Sequence, residues 1–248
     1  MRLAILTDIH ANLPALEAVL ADVEAADVDD VWCLGDVVGY GADPDECTKV
    51  VAERCSLCLV GNHDLAVLDA LDISTFSPAA SAAVRWTQGV VSGETLAFLR
   101  SLEPADESRE VGLYHASPRD PIWEYVLWPD QATECIRVQS SRVSLIGHSH
   151  VALFFVLSDR APNQDADARG AQAGAGTSLD LGEGRWLVNP GSVGQPRDGD
   201  PRAAWLELDT DGWTATYNRV DYDIDRAAES ILATNLPEHL ARRLYVGQ

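Results

Sequence analysis

Residues 3–26 read LAILTDIHANLPALEAVLADVEAA, and this stretch carries three patterns in succession. The apolar run at residues 3–6 predicts a buried strand, which ends at the polar side chains of Thr7 and Asp8. Residues 14–26 then repeat apolar side chains at steps of three and four, which is the spacing of an amphipathic helix. A strand, a polar loop and a helix in this order form the repeating unit of α/β folds.

Further along the chain, short apolar runs followed by polar residues return. They predict buried strands at residues 31–34, 57–60, 111–114, 143–146 and 151–157. Later runs predict strands at residues 185–189, 203–208 and 213–220, the last two forming a hairpin. Helical spacing predicts helices at residues 14–26, 79–86, 93–102, 130–138, 224–232 and 238–244. Because βα units come first and hairpins later, we predict a mixed α/β architecture.

The chain has 248 residues, 46% of them hydrophobic, which is enough for one substantial core. No proline-rich or serine-rich linker divides the sequence, so we predict a single domain over residues 1–248. Residues 158–184 are rich in Ala, Gly, Asp and Gln, which predicts a flexible loop between strands. A surface insertion is the favoured interpretation of this loop, and a lid over a functional site is the alternative.

Charge and apolar runs limit the partners and the location. The chain carries 18 Lys and Arg against 39 Asp and Glu, a formal net charge of -21. A surface this acidic repels long nucleic acids and anionic lipid, so we expect neither as a partner. The longest apolar run, residues 151–157, is far shorter than the roughly 20 residues of a membrane-spanning helix. The N-terminal stretch lacks the features of a secretion signal, and we therefore expect a cytoplasmic protein.

Polar side chains that can bind metals follow five of the predicted strands. Five of the six histidines lie in these positions, and only His239 lies elsewhere, in a predicted helix. The polar residues after the strands are Asp8, His10, Asp36, Asn62, His63, Asp64, His115, His148 and His150. Because ligands bind outside the carboxyl ends of strands in α/β sheets, we expect these side chains to gather at one site.

A single histidine after a strand is as consistent with an ordinary hydrogen-bonded residue as with a metal ligand. Together, four imidazoles, two carboxylates and an Asn amide would leave buried polar groups unsatisfied unless a cation binds among them. Nitrogen and oxygen donors of this kind suit Mn, Fe, Zn, Co or Ni. The donors exceed the needs of one tetrahedral ion, so we expect two divalent ions that share a carboxylate. That arrangement serves displacement at phosphorus and indicates phosphoester hydrolysis.

In chain order the motifs are DIH at residues 8–10, GD at 35–36, GNHD at 61–64, the lone His115, and GHSH at 147–150. With these motifs the sequence resembles the calcineurin-like metallophosphoesterases over nearly its whole length. The segment NPGSVGQPRD at residues 189–198 looks like a loop of their small bacterial and archaeal phosphodiesterase branch. The resemblance implies a four-layer α/β/β/α sandwich, in which helices flank two mixed sheets.

The resemblance also implies a role for each motif residue. The implied ligands are Asp8, His10 and His150 for one metal ion, Asn62, His115 and His148 for the other, and Asp36 as the bridge between them. His63 would contact the substrate phosphate and assist the leaving group, and Asp64 would orient His63. The attacking group would be a hydroxide that bridges the two ions. Manganese is the favoured metal, with Fe, Zn, Ni and Co as alternatives.

Two positions depart from the family pattern. Gly39 stands where the wider family has the second Asp of GDxxD, and Ala116 replaces the usual Gly after the lone histidine. Neither change removes an implied ligand. Arg119 and Arg197 each follow a motif loop and are predicted to bind a non-bridging phosphate oxygen. The alternative for both is a local ion pair with a nearby Asp.

Together these features predict a metal-dependent phosphodiesterase that hydrolyses a small phosphodiester, with nucleotides among the candidate substrates. The same dinuclear site would also serve a phosphomonoesterase or a dinucleoside polyphosphate hydrolase. An alternative of another class is a non-catalytic metal-binding scaffold, since the fold also resembles a retromer subunit that has lost the catalytic histidine. The presence of His63 favours the enzyme. The oligomeric state is left open by the sequence.

Overall fold

Two six-stranded sheets lie face to face in the computed structural model, which describes residues 1–158 and 167–248. The strands are β1 (Arg2–Leu6), β2 (Asp30–Cys33), β3 (Leu57–Cys58), β4 (Ala105–Asp106), β5 (Gly112–Tyr114), β6 (Val143–Leu145), β7 (Leu153–Leu157), β8 (Arg169–Gln172), β9 (Ser178–Asp180), β10 (Arg185–Asn189), β11 (Ala203–Asp209) and β12 (Thr214–Val220). The helices are α1 (Leu13–Ala26), α2 (Pro44–Arg54), α3 (Asn62–Val67), α4 (Pro78–Val90), α5 (Gly93–Arg100), α6 (Pro129–Val138), α7 (Ile224–Leu232) and α8 (His239–Leu244). Within the described ranges, no helix is long and apolar enough to cross a membrane.

Each sheet mixes parallel and antiparallel neighbours. The first sheet has the order β3-β2-β1-β11-β12-β9, in which β1, β2 and β3 are parallel and the other pairs are antiparallel. The second has the order β4-β5-β6-β10-β7-β8, in which β5, β6 and β10 are parallel and the other pairs are antiparallel. The prediction of a mixed α/β architecture is confirmed.

Strand β1 lies inside the first sheet and is buried on both faces. Leu3 and Ile5 belong to the core between the two sheets, whereas Ala4 and Leu6 belong to the core beneath the helices. Successive side chains of a strand point to opposite faces, so both faces of β1 need apolar residues. This is why its sequence is an uninterrupted apolar run rather than an alternating one.

Helices cover the outer faces of both sheets and complete four layers. Helices α1 and α2 pack on the first sheet, and α6 packs on the second. Between the sheets, the hydroxyl of Tyr217 in β12 donates a hydrogen bond of 2.7 Å to the main-chain oxygen of Leu153 in β7. The four-layer α/β/β/α sandwich implied by the resemblance is therefore confirmed.

The prediction of one loop over residues 158–184 is wrong for part of its length. Strands β8 and β9 lie in this stretch and pair with β7 and β12 at the edges of the two sheets. All four residues of β8 are exposed, so its sequence lacks the apolar alternation that identifies a strand. Residues 159–166 lie outside the described residues, and the flexibility and lid role of the loop stay predictions.

The sequence patterns also miss helices α2 and α3. Helix α2 buries few apolar side chains, chiefly Cys47 and Val51, which is too short a stripe to indicate a helix. Helix α3 has six residues, and three of them are the motif residues Asn62, His63 and Asp64. Its first turn therefore consists of polar residues and lacks the apolar periodicity that indicates a helix.

Candidate metal centre

The implied metal ligands gather at one edge of the molecule, where strands of both sheets end. They lie in the loops after β1, β2, β5 and β6 and at the start of α3. All of them are buried, namely Asp8, His10, Asp36, Asn62, His115, His148 and His150. Two clusters have ligand atoms within 4.8 Å of one another, the first with Asp8, His10, Asp36 and His150, the second with Asp36, His115 and His148. Asp36 belongs to both clusters.

In the first cluster, the Nε2 atoms of His10 and His150 face each other at 3.0 Å. The Nδ1 atom of His10 lies 3.1 Å from the carbonyl oxygen of Val38, and that of His150 lies 2.7 Å from the carbonyl oxygen of Gln195. A carbonyl oxygen only accepts hydrogen bonds, so each Nδ1 carries the proton and each neutral ring presents a lone pair at Nε2. Two lone pairs at this distance repel unless a cation binds between them.

The second cluster repeats this arrangement with one change of tautomer. His115 Nδ1 donates to the carbonyl oxygen of Leu34 at 2.9 Å, and its Nε2 lies 3.2 Å from Asn62 Oδ1, which is also an acceptor. His148 instead donates from Nε2 to the carbonyl oxygen of Trp123 at 3.2 Å, which leaves Nδ1 as its acceptor atom. Main-chain oxygens therefore select the ligating nitrogen of all four imidazoles.

Asp36 lies between the two clusters. Its Oδ2 atom is 3.5 Å from His10 Nε2 and 3.6 Å from His115 Nε2. Asp8 places Oδ1 at 3.4 Å from His150 Nε2. These two carboxylate oxygens are buried and have no hydrogen-bond partner within the described part of the chain. Buried acceptors without donors are costly, and metal ions would satisfy them.

Burial sets the electrostatics of the cluster. It raises the pKa of Asp8 to about 7, and it raises the pKa of Asp36 well above the usual range, with a further increase from the Asp64 carboxylate. Burial also lowers the pKa of the histidines well below 6.5, at His10, His63, His148 and His150. The ionised form of the carboxylates thus needs a positive charge that the neutral imidazoles do not supply. Two divalent cations would supply it, so the residues present fit a dinuclear metal centre.

Five ligands adopt a left-handed backbone conformation, with positive φ angles at Asp8, His10, Asp36, His148 and His150. Residues other than Gly adopt this backbone conformation at a cost of roughly 1–2 kcal/mol per residue, which the surrounding hydrogen bonds must offset. At Asp8, the main-chain oxygen accepts from Ser192 Oγ at 2.7 Å and from Gly194 N at 3.0 Å. The segment at residues 189–198 is therefore a support for the first strand loop.

His63 stands beside the clusters rather than in them. Its ring lies 4.9 Å from the ring of His10 and 4.3 Å from that of Tyr40, centroid to centroid. Its Nδ1 atom is buried without a hydrogen-bond partner among the described residues. A Cβ atom at Gly39, whose φ is +90°, would lie only 2.6 Å from this Nδ1. The ring therefore leaves no room for a side chain where the wider family has its second Asp.

Asp64 differs from the expectation that it orients His63. Its carboxylate accepts hydrogen bonds from the main-chain N–H groups of Gly61 at 3.0 Å, Val37 at 3.3 Å and Val38 at 3.0 Å. It therefore joins the loop after β2 to the first turn of α3. These are the two segments that carry Asp36 and His63, so Asp64 acts on the site through the backbone.

The two predicted phosphate-binding arginines occupy different surroundings. Arg197 borders the same cavity as Asn62, His63 and His148, and its Nη2 donates to Gln195 Oε1 at 2.9 Å. Its neighbour Asp198 pairs with Arg219 instead. Arg119 is absent from the residues that line this cavity, and its Nε lies 3.6 Å from Glu124 Oε1. The structure thus brings Arg197 to the site and places Arg119 in a local ion pair.

A cavity of about 370 Å³ opens in front of the metal ligands. Its walls include Phe76, Trp123 and Tyr125, and Tyr125 stacks on His148 at a centroid distance of 4.1 Å. Arg243 in α8 also lines it. Sequence patterns gave no indication of Phe76 or Arg243, since neither lies in or beside a motif.

The family model of the calcineurin-like phosphoesterase superfamily domain matches residues 1–211. The chain is 37% identical over 259 residues to the uncharacterised protein MJ0912 of Methanocaldococcus jannaschii, covering 99% of this chain and 98% of that protein. A crystal structure of a metallophosphoesterase from Sphaerobacter thermophilus is 38% identical, with a TM-score of 0.88 and coverage of 100% and 99%. The hypothetical protein PH1004 of Pyrococcus horikoshii shares the fold at 20% identity, with a TM-score of 0.77 and coverage of 100% and 98%.

Proposed function

This chain belongs to the calcineurin-like phosphoesterase superfamily and is a metal-binding hydrolase of phosphoesters, and from that premise we propose that it is a phosphodiesterase with two divalent metal ions. One observation carries the proposal. The Asp36 Oδ2 atom lies within 3.6 Å of a ring nitrogen in each cluster, 3.5 Å from His10 and 3.6 Å from His115, and has no other partner among the described residues. A shared oxygen is what two adjacent ions require.

Each half of the site would hold one ion. The first ion would take Asp8, His10 and His150, the second would take Asn62, His115 and His148, and Asp36 would contact both. When bound, such ions bind phosphate oxygens as Lewis acids and make water a stronger nucleophile near neutral pH. Manganese is the metal we would test first. The cytoplasmic location also remains a prediction.

His63 is the proposed proton donor to the leaving group. Hydrolysis joins the oxygen of water to phosphorus, breaks the P–O bond to the leaving group and needs a proton at the departing oxygen. His63 lines the cavity, and its main-chain N–H donates to Asp36 Oδ1 at 2.8 Å, which fixes its distance from the shared ligand. Burial lowers the pKa of His63, and a bound phosphate anion would raise it again and favour the protonated ring.

Arg197 is the proposed contact to a non-bridging phosphate oxygen. It faces the cavity, and its buried Nε has no hydrogen-bond partner in the described residues. A guanidinium group with free N–H groups binds phosphate oxygens through a planar fork. The cavity of about 370 Å³ and its aromatic walls suit a small substrate with an aromatic group, such as a nucleotide. Hydrolysis of phosphomonoesters is the second candidate, since the same ligands would serve it.

The test is metal-dependent turnover of bis-p-nitrophenyl phosphate and p-nitrophenyl phosphate. The protein is stripped of metal, repleted with Mn(II) and compared with two histidine variants. His63→Ala should lower the turnover of diphenyl phosphate, whose phenolate leaving group needs a proton donor more than nitrophenolate does, by at least about a hundredfold, the range expected for loss of a general acid. His239→Ala removes an exposed histidine of α8 and should keep wild-type turnover. Monoester turnover above diester turnover would favour the second candidate, and failure with both esters and all metals would contradict the proposal.

A further inference from the structure

Arg243 is a second arginine beside the metal centre. It lies in α8, beyond residues 1–211 that match the family model, and lines the same cavity as Arg197, His63 and His148. The inference drawn from it rests on the proposed function of that cavity. It concerns which small phosphoesters the site would select.

The surroundings of Arg243 contain other cationic and neutral groups rather than carboxylate side chains. Its Nε donates to the main-chain oxygen of Gln248, the last residue of the sequence. Its remaining nitrogens have no hydrogen-bond partner in the described ranges. Burial and the charge of Arg197 lower the pKa of Arg243 to about 10. The nearby side chains of Tyr40 and Tyr125 act on this pKa in the opposite direction.

Other arginines of this chain lie against carboxylates, as four pairs illustrate: Arg202 with Asp200, Arg219 with Asp198, Arg226 with Glu17, and Arg242 with Glu238. The chain has 39 Asp and Glu for 18 Lys and Arg, so carboxylate partners are abundant. Among the described residues, neither Arg197 nor Arg243 forms an ion pair with an Asp or Glu side chain, although both line the same cavity. The charges of Arg197 and Arg243 repel each other, and an anion bound between the two side chains would attract both.

One phosphate group does not account for both arginines. The phosphoryl group under attack would lie at the metal ligands, and Arg197 is within reach of it because it lines the cavity with Asn62 and His148. Arg243 then remains available to bind a further negative charge of the substrate. A phosphodiester group carries a single negative charge, so a second phosphate is the simplest group to match it.

We propose that Arg197 and Arg243 form a second anion site beside the metal centre, and that the preferred substrate carries two adjoining phosphate groups. The aromatic walls would then contact the organic part of the substrate. Two of these walls are Phe76 and Trp123, whose rings lie edge to face at 5.0 Å. The substrate class is therefore a pyrophosphate-linked ester with an aromatic group.

The test measures the binding of inorganic phosphate and pyrophosphate by isothermal titration calorimetry. The protein is loaded with Mn(II), and free Mn(II) is kept equal in both titrations. Wild-type protein should bind pyrophosphate at least about tenfold more tightly than phosphate, and Arg243→Gln should lower this ratio by about tenfold, the effect of one charged hydrogen bond. Arg243→Lys keeps the charge and should retain most of the preference.

Arg242→Gln is the matched control. It removes the same charge from the same helix, but this side chain is 78% exposed and paired with Glu238, so the binding ratio should not change. The control also corrects for chelation of Mn(II) by pyrophosphate, which is equal in all variants. An equal change of the ratio in both glutamine variants, or no change in Arg243→Gln, would overturn the second anion site.

Turnover of bis-p-nitrophenyl phosphate separates this inference from the proposed function. This diester has one phosphate, so its metal-dependent hydrolysis by the wild-type protein does not require the second anion site. Turnover without a pyrophosphate preference would overturn the anion site and support the phosphodiesterase. A pyrophosphate preference without turnover of any ester would support the anion site and contradict the phosphodiesterase.

Discussion

The imidazoles of His10 and His150 show how single atoms define the chemistry of this site. Main-chain carbonyl oxygens hold the proton of each ring at Nδ1. Both Nε2 lone pairs therefore point into the gap between the two Nε2 atoms, which lie 3.0 Å apart. Asp36 adds an oxygen without a donor on the side facing His115. These atoms are mutually repulsive until a cation binds, which makes the metal part of the energetics of the folded centre.

Asp36→Asn and His63→Ala should separate metal binding from turnover. The amide of Asn carries no negative charge to share between two ions, so Asp36→Asn should lose most of the bound metal. His63→Ala should retain about two ions per chain, since His63 lies outside both ligand clusters. Metal content by inductively coupled plasma mass spectrometry, measured after repletion and gel filtration, checks both. Equal loss of metal in the two variants would contradict the assigned roles.

Gly39→Ala should displace His63 without removing a ligand. The new Cβ would lie 2.6 Å from His63 Nδ1, and the φ of +90° is strained for any residue with a side chain. We expect kcat to fall by at least about tenfold, because small displacements of a catalytic group are costly, with metal content maintained. Gly89→Ala in α4 is the control, since its Cβ would meet nothing within 4 Å. Wild-type kcat in Gly39→Ala would show that the position of His63 is unimportant.

At the scale of elements, the loops that follow the strands are held in place by hydrogen bonds from segments that are distant in the sequence. The segment at residues 189–198 supports the first strand loop through Ser192, whose Oγ donates to Asp8 and accepts from Gln195 N at 2.8 Å. Asn189 in β10 donates from Nδ2 to the carbonyl oxygen of Gly147 at 2.6 Å. This one segment thus contacts the loops of two ligand pairs.

Ser192→Ala should weaken metal binding although Ser192 is not a ligand. Loss of its hydroxyl removes the 2.7 Å bond that holds the left-handed backbone of Asp8. Loss of a residue that supports a ligand typically weakens metal affinity by about ten- to a hundredfold, and we expect an effect in that range. Competition of Mn(II) with a fluorescent chelator measures it. Ser101→Ala, which removes an exposed hydroxyl bonded to Phe98, should keep wild-type affinity, and equal affinity in both variants would contradict the supporting role.

The elements that the sequence reveals are those that bury apolar side chains on at least one face. The strand predicted at residues 185–189 matches β10 in full, and the helix predicted at residues 224–232 matches α7. Sequence patterns miss strand β8 because all four of its residues are exposed. Main-chain hydrogen bonds decide its pairing with β7. Main-chain bonds of this kind leave little trace in the side-chain pattern.

At the scale of the whole molecule, the metal centre joins the two sheets. Its ligands follow β1 and β2 of the first sheet and β5 and β6 of the second, so bound ions would connect both layers at one edge. The chain as a whole carries a formal net charge of -21. With two divalent ions bound, the site would be cationic within an acidic protein, and it would favour small anionic substrates over long polyanions, which the remaining surface repels.

Metal removal should make stability fall with rising pH. Burial raises the folded-state pKa of Asp8 from 3.8 to about 7 and raises that of Asp36 as well, so the folded protein binds protons more tightly than the unfolded chain. That contribution to the free energy of unfolding is present at low pH and is lost as pH rises through about 7. The lowered pKa values of the buried histidines act in the opposite sense, and this effect is largely complete about one pH unit above their ordinary value of 6.5.

Calorimetry at pH 7.5 and pH 8.5, above the range in which the unfolded histidines titrate, checks this expectation. The Tm of the metal-free protein should be lower at pH 8.5, whereas saturating Mn(II) should remove most of the difference because bound ions compensate the ionised carboxylates. The metal-loaded protein is the internal control for the surface charge, which both forms share. A metal-free Tm that rises between these two pH values would contradict the role given to Asp8 and Asp36.

The sequence by itself determined the buried strands, the order of the polar motifs after them and the set of residues that can bind metal. These are local properties, since an apolar run or a histidine after a strand is visible within a few residues. Only the tertiary structure decided which atoms meet: it brings His10 to His150 across 140 positions, assigns Asp64 to the backbone, and places Arg197 and Arg243 at one cavity while Arg119 pairs with Glu124. Such contacts depend on sheet order and loop paths, which arise from packing of the whole chain and have no signature in any single segment.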